Sequence, residues 1–133
     1  MPAFSKVSHI SFSARDAEAS SRWWSELLGL TELDRVAGNG WRGIVLLHPP
    51  TGTVIEFQQH HGNQGEEFDP RRTGLDHMGF KVDDRAALDD WRAHFERLGV
   101  RHSPIVDREY GSVLTFKDPD GIQFEMFYRE NHP

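Results

Sequence analysis

An internal repeat is the feature that most constrains how this chain can fold. At a spacing of 68 residues the first block of matches is His9 with His77, Phe12 with Phe80, Asp16 with Asp84, Trp23 with Trp91 and Leu30 with Leu98. At a spacing of 69 residues PTGTVIEF, which begins at Pro50, matches PDGIQFEMF, which begins at Pro119. Because repeated sequence units fold as repeated structural units, we expect two equivalent modules in one domain, at residues 5–61 and 75–129, joined by a linker at 62–74.

The hydrophobic periodicity changes along each module in the order β-α-β-β-β. In module 1, SHISFSA alternates apolar and polar residues as a half-buried strand does. The next segment carries an apolar stripe at helical spacing, and we expect Asp16 and Gly29 to cap this helix at its two ends. Three strands then follow, TELDRVA, GWRGIVLLH and TVIEFQQH, separated by turn signals.

Module 2 repeats this order. LDHMGFKV is the first strand, and Asp83 or Asp84 is expected to cap a helix that ends at Gly99. The remaining strands are RHSPIVD, SVLTFKD and IQFEMFY. A sheet that one helix covers has one face left open, so we expect the two open faces to meet. The fold class is therefore α+β, with two tandem βαβββ modules that form a cup-shaped mixed sheet with the helices outside.

Composition excludes several classes of function. The 15 Lys and Arg residues against 21 Asp and Glu residues give a net charge of −6, so the chain has no basic footprint for nucleic acid. The longest apolar runs are far shorter than the roughly 20 residues that span a bilayer, and the start MPAFSKVSH lacks an apolar signal core. We therefore expect a cytoplasmic protein. The absence of cysteine leaves only His, Asp and Glu as strong metal ligands.

Strand alternation brings out four polar residues. The apolar residues of each first strand share one parity, which places His9 and His77 on the opposite, inward face. In each fourth strand, Glu56 and Glu125 stand alone at inward positions between apolar neighbours. A carboxylate is costly to bury unless it is paired. Two histidines and two glutamates would relieve one another around one divalent metal ion, and this ligand set suits Ni, Zn, Co, Mn or Fe better than Ca.

An alternative needs no metal: two ion pairs, His9–Glu125 and His77–Glu56, would hold the halves together. Seven further residues are candidates for a substrate-binding wall or rim: Trp41, Val45, His60, Lys81, Tyr110, Leu114 and Phe127. Core packing is the alternative for the apolar members of this set. Exposure to solvent is the alternative for His60 and Lys81.

The chain resembles the vicinal oxygen chelate superfamily, which includes glyoxalase I, fosfomycin and bleomycin resistance proteins, extradiol dioxygenases and methylmalonyl-CoA epimerase. The resemblance covers His9 to Phe127 and is most specific in HISFSARDAEASSRWWSELLGL, LDHMGFKV and FKDPDGIQFEMF. It implies paired βαβββ modules around one divalent metal, with ligands at the positions of the His–Glu–His–Glu quartet. It also implies a small-molecule substrate and a homodimer.

The order of the quartet is most similar to that of glyoxalase I. The resemblance thus implies a lyase or isomerase that chelates two neighbouring substrate oxygens, with Glu125, or its mirror Glu56, as general base. The glutathione-dependent bacterial enzymes have an arginine where Ser13 stands and an asparagine where His60 stands, so a glutathione-linked substrate is not implied. Two alternatives remain: a metal-free protein that sequesters a drug or metabolite, and an iron-dependent ring-cleaving dioxygenase using His9, His77 and Glu125.

Overall fold

Each half of the chain folds into one helix and one four-stranded mixed sheet, in the order β-α-β-β-β that the repeat predicts. The structure is a computed structural model that describes residues 1–133. The chain divides into two units, Met1–Glu66 and Glu67–Pro133, and the division lies within the predicted linker. Neither helix is long and apolar enough to span a lipid bilayer.

The elements of unit 1 are β1 (Ile10–Ser13), α1 (Ala17–Leu28), β2 (Thr31–Gly38), β3 (Trp41–His48) and β4 (Thr53–His60). The elements of unit 2 are β5 (Met78–Lys81), α2 (Ala87–Leu98), β6 (Val106–Arg108), β7 (Gly111–Lys117) and β8 (Gln123–Tyr128). The sheets have the orders β1-β4-β3-β2 and β5-β8-β7-β6. In each sheet the first two strands of that order are parallel and the others antiparallel, so β4 and β8 have a neighbour on both sides.

Helix α1 begins and ends where its capping residues predict. The carboxylate of Asp16 accepts a hydrogen bond of 3.0 Å from the Ala19 amide, which satisfies one of the free N–H groups of the first turn. Gly29 ends the helix in the left-handed conformation, with φ of 70°. The helix buries Trp24 completely, and its indole stacks on Phe57 of β4 at a centroid distance of 5.9 Å.

Helix α2 ends at Gly99 as predicted, but its start corrects the expected cap. The residue before the helix is Ala86, which makes no side-chain capping bond, so neither Asp83 nor Asp84 is the N-cap. Asp84 instead closes the preceding turn, where its carboxylate accepts a 2.8 Å hydrogen bond from the Ala87 amide. Because this bond stabilises a turn, the helix begins only at Ala87.

The predicted strand RHSPIVD, at 101–107, is only partly a strand. Regular pairing is confined to β6, because Pro104 has no N–H to donate to a ladder. His102 makes one isolated antiparallel bridge with Phe116 of β7. Residues 101–103 thus lie along the edge of β7 as a short extended segment before the chain turns into β6.

Candidate functional site

Glu56 and Glu125 occupy equivalent places in the interior strands of the two sheets. The neighbours of Glu56 on β4, Ile55 and Phe57, are fully buried, and α1 stacks on Phe57. Alternation along the strand therefore places Glu56 on the sheet face opposite the helix, and the buried neighbours of Glu125 on β8 place it likewise. We call these helix-free faces, which carry Glu56 and Glu125, the open faces of units 1 and 2.

On the open face of unit 1, Glu56 is held in place. It is only 7% exposed, and its Oε1 accepts a hydrogen bond of 3.1 Å from the side-chain amide of Gln58, two residues further along β4. His9 is exposed and immediately precedes β1. Its Nδ1 lies 2.7 Å from the Ser8 hydroxyl. The histidine of unit 1 thus bonds a neutral group, and its glutamate bonds an amide.

The glutamate of unit 1 fits over a glycine on the neighbouring strand. A Cβ atom added to Gly43 of β3 would lie 2.4 Å from Oε1 of Glu56, far inside van der Waals contact. Gly43 pairs with Gln58 across the β3–β4 ladder, so the glycine and the amide border the carboxylate together. Any side chain at position 43 would displace the Glu56 carboxylate.

On the open face of unit 2, the histidine and the glutamate face each other. Nε2 of His77 lies 3.7 Å from Oε1 of Glu125. Nδ1 of His77 donates to the carboxylate of Asp76 at 2.6 Å, because an ionised carboxylate can only accept. The hydrogen bond that His77 donates to Asp76 is the main cause that raises the pKa of His77, and the charge of Glu125 adds to it. In the neutral imidazole this bond leaves the lone pair on Nε2, which faces Glu125.

A cleft of about 520 Å³ lies beside the His77–Glu125 pair within unit 2. The residues that line it are Asp76, His77, Arg101, His102, Ser103, Thr115, Phe116, Lys117, Gln123, Phe124 and Glu125. This volume is within the range of small-molecule sites. Both proposed ligands of unit 2 therefore border a space that can hold a small substrate.

Three predicted substrate residues of unit 1 share the open face with Glu56. Val45 pairs directly with Glu56 across the β3–β4 ladder, and Trp41 pairs with His60. The indole of Trp41 lies over Gly38, where an added Cβ would meet its Nε1 at 2.2 Å. The structure thus places these three residues on the face that carries Glu56.

In unit 2 the predicted substrate residues divide between the two faces. Phe127 shares the face of Glu125. The ring of the exposed Tyr110 stacks on the ring of Phe127, with a centroid distance of 6.4 Å. Lys81 is exposed and pairs with Asp83 at 3.4 Å. Leu114 corrects the prediction, because it is fully buried and pairs with Met126 on the helix side of the sheet. Leu114 is a core residue.

Several functional candidates were not predicted. Asp76 and Gln58 bond His77 and Glu56, and Gly43 accommodates the Glu56 carboxylate. Asp76 is adjacent to His77 in the sequence, and Gln58 has the parity of Glu56, so both carried a local signal. Gly43 carried none, since only the register of β3 against β4 places it beside Glu56.

The donors in both units have the chemistry that a borderline divalent metal ion prefers. Imidazole nitrogen and carboxylate oxygen bind Zn, Ni, Co, Mn and Fe. The Asp76 bond to His77 is the kind of outer contact that orients a metal-binding histidine. No three His, Asp or Glu side chains come close enough together in the structure to hold an ion. Each unit therefore presents side chains of the types that fit a divalent metal ion, but no complete metal site.

The repeat, the two βαβββ units and the polar residues on their open faces agree with one family. The profile of the Glyoxalase/Bleomycin resistance protein/Dioxygenase superfamily matches residues 6–126. The chain belongs to this superfamily, which confirms the resemblance and the two tandem βαβββ modules of the α+β class that the sequence predicts.

Individual relatives show the range of the family. The chain is 30% identical over 112 residues to the putative ring-cleaving dioxygenase MhqA of Bacillus subtilis. The matched region covers 83% of this chain but only 35% of that protein. It is similar to a glyoxylase/bleomycin resistance protein/dioxygenase domain from Frankia sp., with 32% identity, a TM-score of 0.88, and coverage of 96% of this chain and 100% of that one. A fosfomycin resistance protein FosX variant from Listeria monocytogenes, complexed with Mn(II) and a dihydroxypropylphosphonic acid, shares the fold at 19% identity, with a TM-score of 0.70 and coverage of 94% and 90%.

Proposed function

We propose that this protein is a divalent-metal-dependent enzyme of the glyoxalase-like lyase and isomerase type, acting on a small substrate that carries two neighbouring oxygens. The observation that carries the proposal is the Asp76–His77–Glu125 arrangement beside the cleft of unit 2. An imidazole oriented by a carboxylate, next to a second carboxylate and a space of substrate size, is expected of a metal enzyme.

The proposed metal ligands are His9, Glu56, His77 and Glu125. The manganese complex of the Listeria FosX variant supports a divalent metal in this fold. When bound, the metal would act as a Lewis acid that polarises the substrate oxygens and stabilises negative charge on them. Its identity among Ni, Zn, Co, Mn and Fe is left to measurement.

Glu125 is proposed as the general base. Its Oε1 faces His77 and the cleft, and no amide donor holds it as Gln58 holds Glu56. A carboxylate that takes up and returns a proton needs this freedom, whereas a fixed carboxylate serves better as a permanent ligand. Glu125 would remove the proton from the substrate carbon that bears the hydroxyl and adjoins the carbonyl, hold it as the neutral acid, and return it to the former carbonyl carbon, while the hydroxyl proton passes to the other oxygen.

Ring cleavage by a dioxygenase is the second candidate. The identity of 30% to the putative ring-cleaving dioxygenase of B. subtilis supports it, although the chain spans about a third of that protein. Its site would need only His9, His77 and Glu125 around Fe(II), which is a two-histidine, one-carboxylate set. Glu56 would then be a structural residue, held by Gln58.

One experiment separates these reactions. The metal-free protein is reconstituted with each of Ni, Zn, Co, Mn and Fe(II). Exchange of the proton on the hydroxyl-bearing carbon of small 2-hydroxy ketones is then followed in D₂O by NMR, and O₂ uptake with catechol is followed in parallel. The proposal expects metal-dependent exchange that Glu125→Gln abolishes in a folded protein. Exchange that is equal with and without metal would overturn it, and Fe(II)-specific O₂ uptake would establish the second candidate.

A further inference from the structure

The cleft of unit 2 has a cationic end that the proposed chemistry does not use. The backbone amide of Lys117 donates to the carbonyl of Arg101 at 3.1 Å, and that of Ser103 donates to the carbonyl of Thr115 at 2.9 Å. The segment 101–103 therefore lies beside β7, and its side chains alternate as those of a strand do. Arg101 and Ser103 consequently share the open face with Thr115 and Lys117.

The register fixes how far this cationic end lies from the proposed base. Across the β7–β8 ladder, Thr115 pairs with Glu125 and Lys117 pairs with Gln123. Lys117 is thus one inward position beyond the level of Glu125, a backbone separation of about 7 Å along the strand. A ligand of a few bonds' length can reach both places.

The charges at this end are open to a ligand. Lys117 is exposed and makes no ion pair. The guanidinium of Arg101 has one loose partner, the Glu67 carboxylate at 3.9 Å, and both side chains are about two thirds exposed. The acidic residues that line the cleft are Asp76 and Glu125, of which Asp76 is bonded to His77. Two cations, Arg101 and Lys117, therefore line one end of a cleft in a chain whose net charge is −6, whereas the Ser103 hydroxyl and the Gln123 amide already donate to the carbonyls of Pro104 and Asp76.

We propose that the substrate of this cleft carries an oxyanion group, a carboxylate or a phosphate, which Arg101 and Lys117 bind while the reacting oxygens lie at His77 and Glu125. The inference rests on the proposed function for the reacting end, but the anion site is assigned independently, from the lining of the cleft. A guanidinium fork matches the planar or tetrahedral oxygens of such groups, and an ammonium adds a point charge. Glu67 would be displaced when the anion binds.

The test is an anion titration of the full chain followed by amide NMR. Inorganic phosphate and acetate are the probes, and they distinguish a phosphate site from a carboxylate site. We expect saturable shifts at residues 101–103 and 115–117. The double variant Arg101→Gln/Lys117→Gln should weaken binding by about tenfold or more, because it removes two charge-assisted contacts.

The matched control is Arg92→Gln/Arg97→Gln, which removes the same charge from exposed positions on α2, on the other side of the sheet. This control should keep the affinity of the wild type, while Glu67→Gln should bind the anion more tightly. Equal affinity in the two double variants, or absence of saturable shifts in the wild type, would overturn the anion site.

Metal binding of the same variants keeps the two proposals separable. Metal affinity should be unchanged in Arg101→Gln/Lys117→Gln, since neither residue is a proposed ligand. If neither the wild type nor any variant binds metal while the anion binds through Arg101 and Lys117, the enzyme proposal fails and the anion site stands. If metal binds but the anion shifts are insensitive to Arg101→Gln/Lys117→Gln, the anion site fails and the enzyme proposal stands.

Discussion

The two units present the same pair of residues in different surroundings. Each unit has a histidine just before its first strand and a glutamate in its interior strand. In unit 1 the partner of the histidine is the Ser8 hydroxyl, and in unit 2 it is the Asp76 carboxylate at the matching position of the repeat. The glutamate of unit 1 accepts from Gln58, whereas the matching position in unit 2 is Phe127, which has no donor.

The repeat thus preserves one histidine and one glutamate in each unit, while the groups that bond them differ. Ser8 gives His9 only a neutral hydrogen-bond partner. Asp76 raises the pKa of His77 and directs its Nε2 at Glu125. Gln58 fixes one carboxylate, and the absence of such a donor leaves the other free to act. In the proposed enzyme, unit 1 would therefore supply a fixed ligand and unit 2 the reactive pair.

The largest expected effect comes from exchanging the glutamates for glutamine. Glu125→Gln should lower turnover of any substrate that the metal-loaded wild type converts by about 10²-fold or more, because it removes the general base. Glu56→Gln should act mainly on metal affinity, measured by calorimetric titration. Equal turnover in Glu125→Gln and the wild type would remove the distinction between the two carboxylates.

The next largest effect is expected on metal affinity, when the hydrogen bond between each histidine and its preceding residue is removed. Asp76→Asn should weaken metal binding by about tenfold to hundredfold, because it removes the charge that orients His77. Ser8→Ala, the matched change in unit 1, should have a smaller effect, since it removes only a neutral hydrogen bond. Calorimetric metal titration of both variants checks the comparison. A larger loss in Ser8→Ala would reverse the roles assigned to the units.

Two glycines beside the glutamates sharpen the comparison further. In Gly43→Ala the new methyl group would lie 2.4 Å from Oε1 of Glu56, so the carboxylate must move and metal affinity should fall by about tenfold. In Gly79→Ala the corresponding distance to Oε1 of Glu125 is 3.2 Å, which a small shift relieves. Thermal unfolding confirms that both variants fold. Equal metal affinities in the two variants would show that Glu56 is no more confined than Glu125.

The helix starts provide a test of stability. Asp16→Ala should destabilise the protein by about 1 kcal/mol, because Asp16 caps α1 directly. Asp84→Ala should cost less, because Asp84 bonds the turn before α2 and the N-cap position is Ala86. Urea unfolding at neutral pH measures both changes. The reverse order would mean that Asp84 does the capping of α2 after all.

The smallest effect is expected at the contacts between helix and edge strand, whose polarity is reversed between the units. In unit 1 Arg35 of β2 binds Glu18 of α1, while in unit 2 Asp107 of β6 binds Arg85, just before α2. Arg85, together with the Ser112 hydroxyl, lowers the pKa of Asp107 from 3.8 to about 2. A lowered pKa contributes stability above pH 4 that is lost as the pH falls toward 2.

The Asp107→Asn variant should therefore differ more from the wild type at pH 6 than near pH 2.5, with the wild type the more stable. Because the Asp107 carboxylate is about two thirds exposed, solvent screens the pair and the difference should be small. Urea unfolding at the two pH values measures it. A difference that grows on acidification would contradict the ionised pair.

Local signals predicted most of the fold. The N-cap of α1, the C-terminal ends of both helices at Gly29 and Gly99, and the interior strands follow from neighbouring residues alone. The predicted strand at 101–107 is interrupted at Pro104, because proline has no backbone N–H for pairing with a neighbouring strand. Leu114 was placed on the wrong face, because consecutive apolar residues on β7 hide the parity that the β7–β8 register reveals.

The sequence predicts the four candidate ligands, which stays a prediction, but it did not predict the different surroundings of the two glutamates. Aligning the halves makes Glu56 and Glu125 equal, and only the bonds of Gln58 and Asp76 distinguish them. Gly43 lies far from Gln58 in sequence, so its contact with Glu56 depends on long-range strand pairing. Such contacts come from register, which single-sequence patterns specify poorly.

Metal content is the direct test of a metal centre that includes His77. The wild type and His77→Ala are purified without chelator and analysed for Ni, Zn, Co, Mn and Fe, before and after reconstitution. The account predicts about one divalent metal ion per chain in the wild type and its loss in the variant. A wild type that holds no metal even after reconstitution, or a variant that holds as much as the wild type, would contradict a metal centre that includes His77.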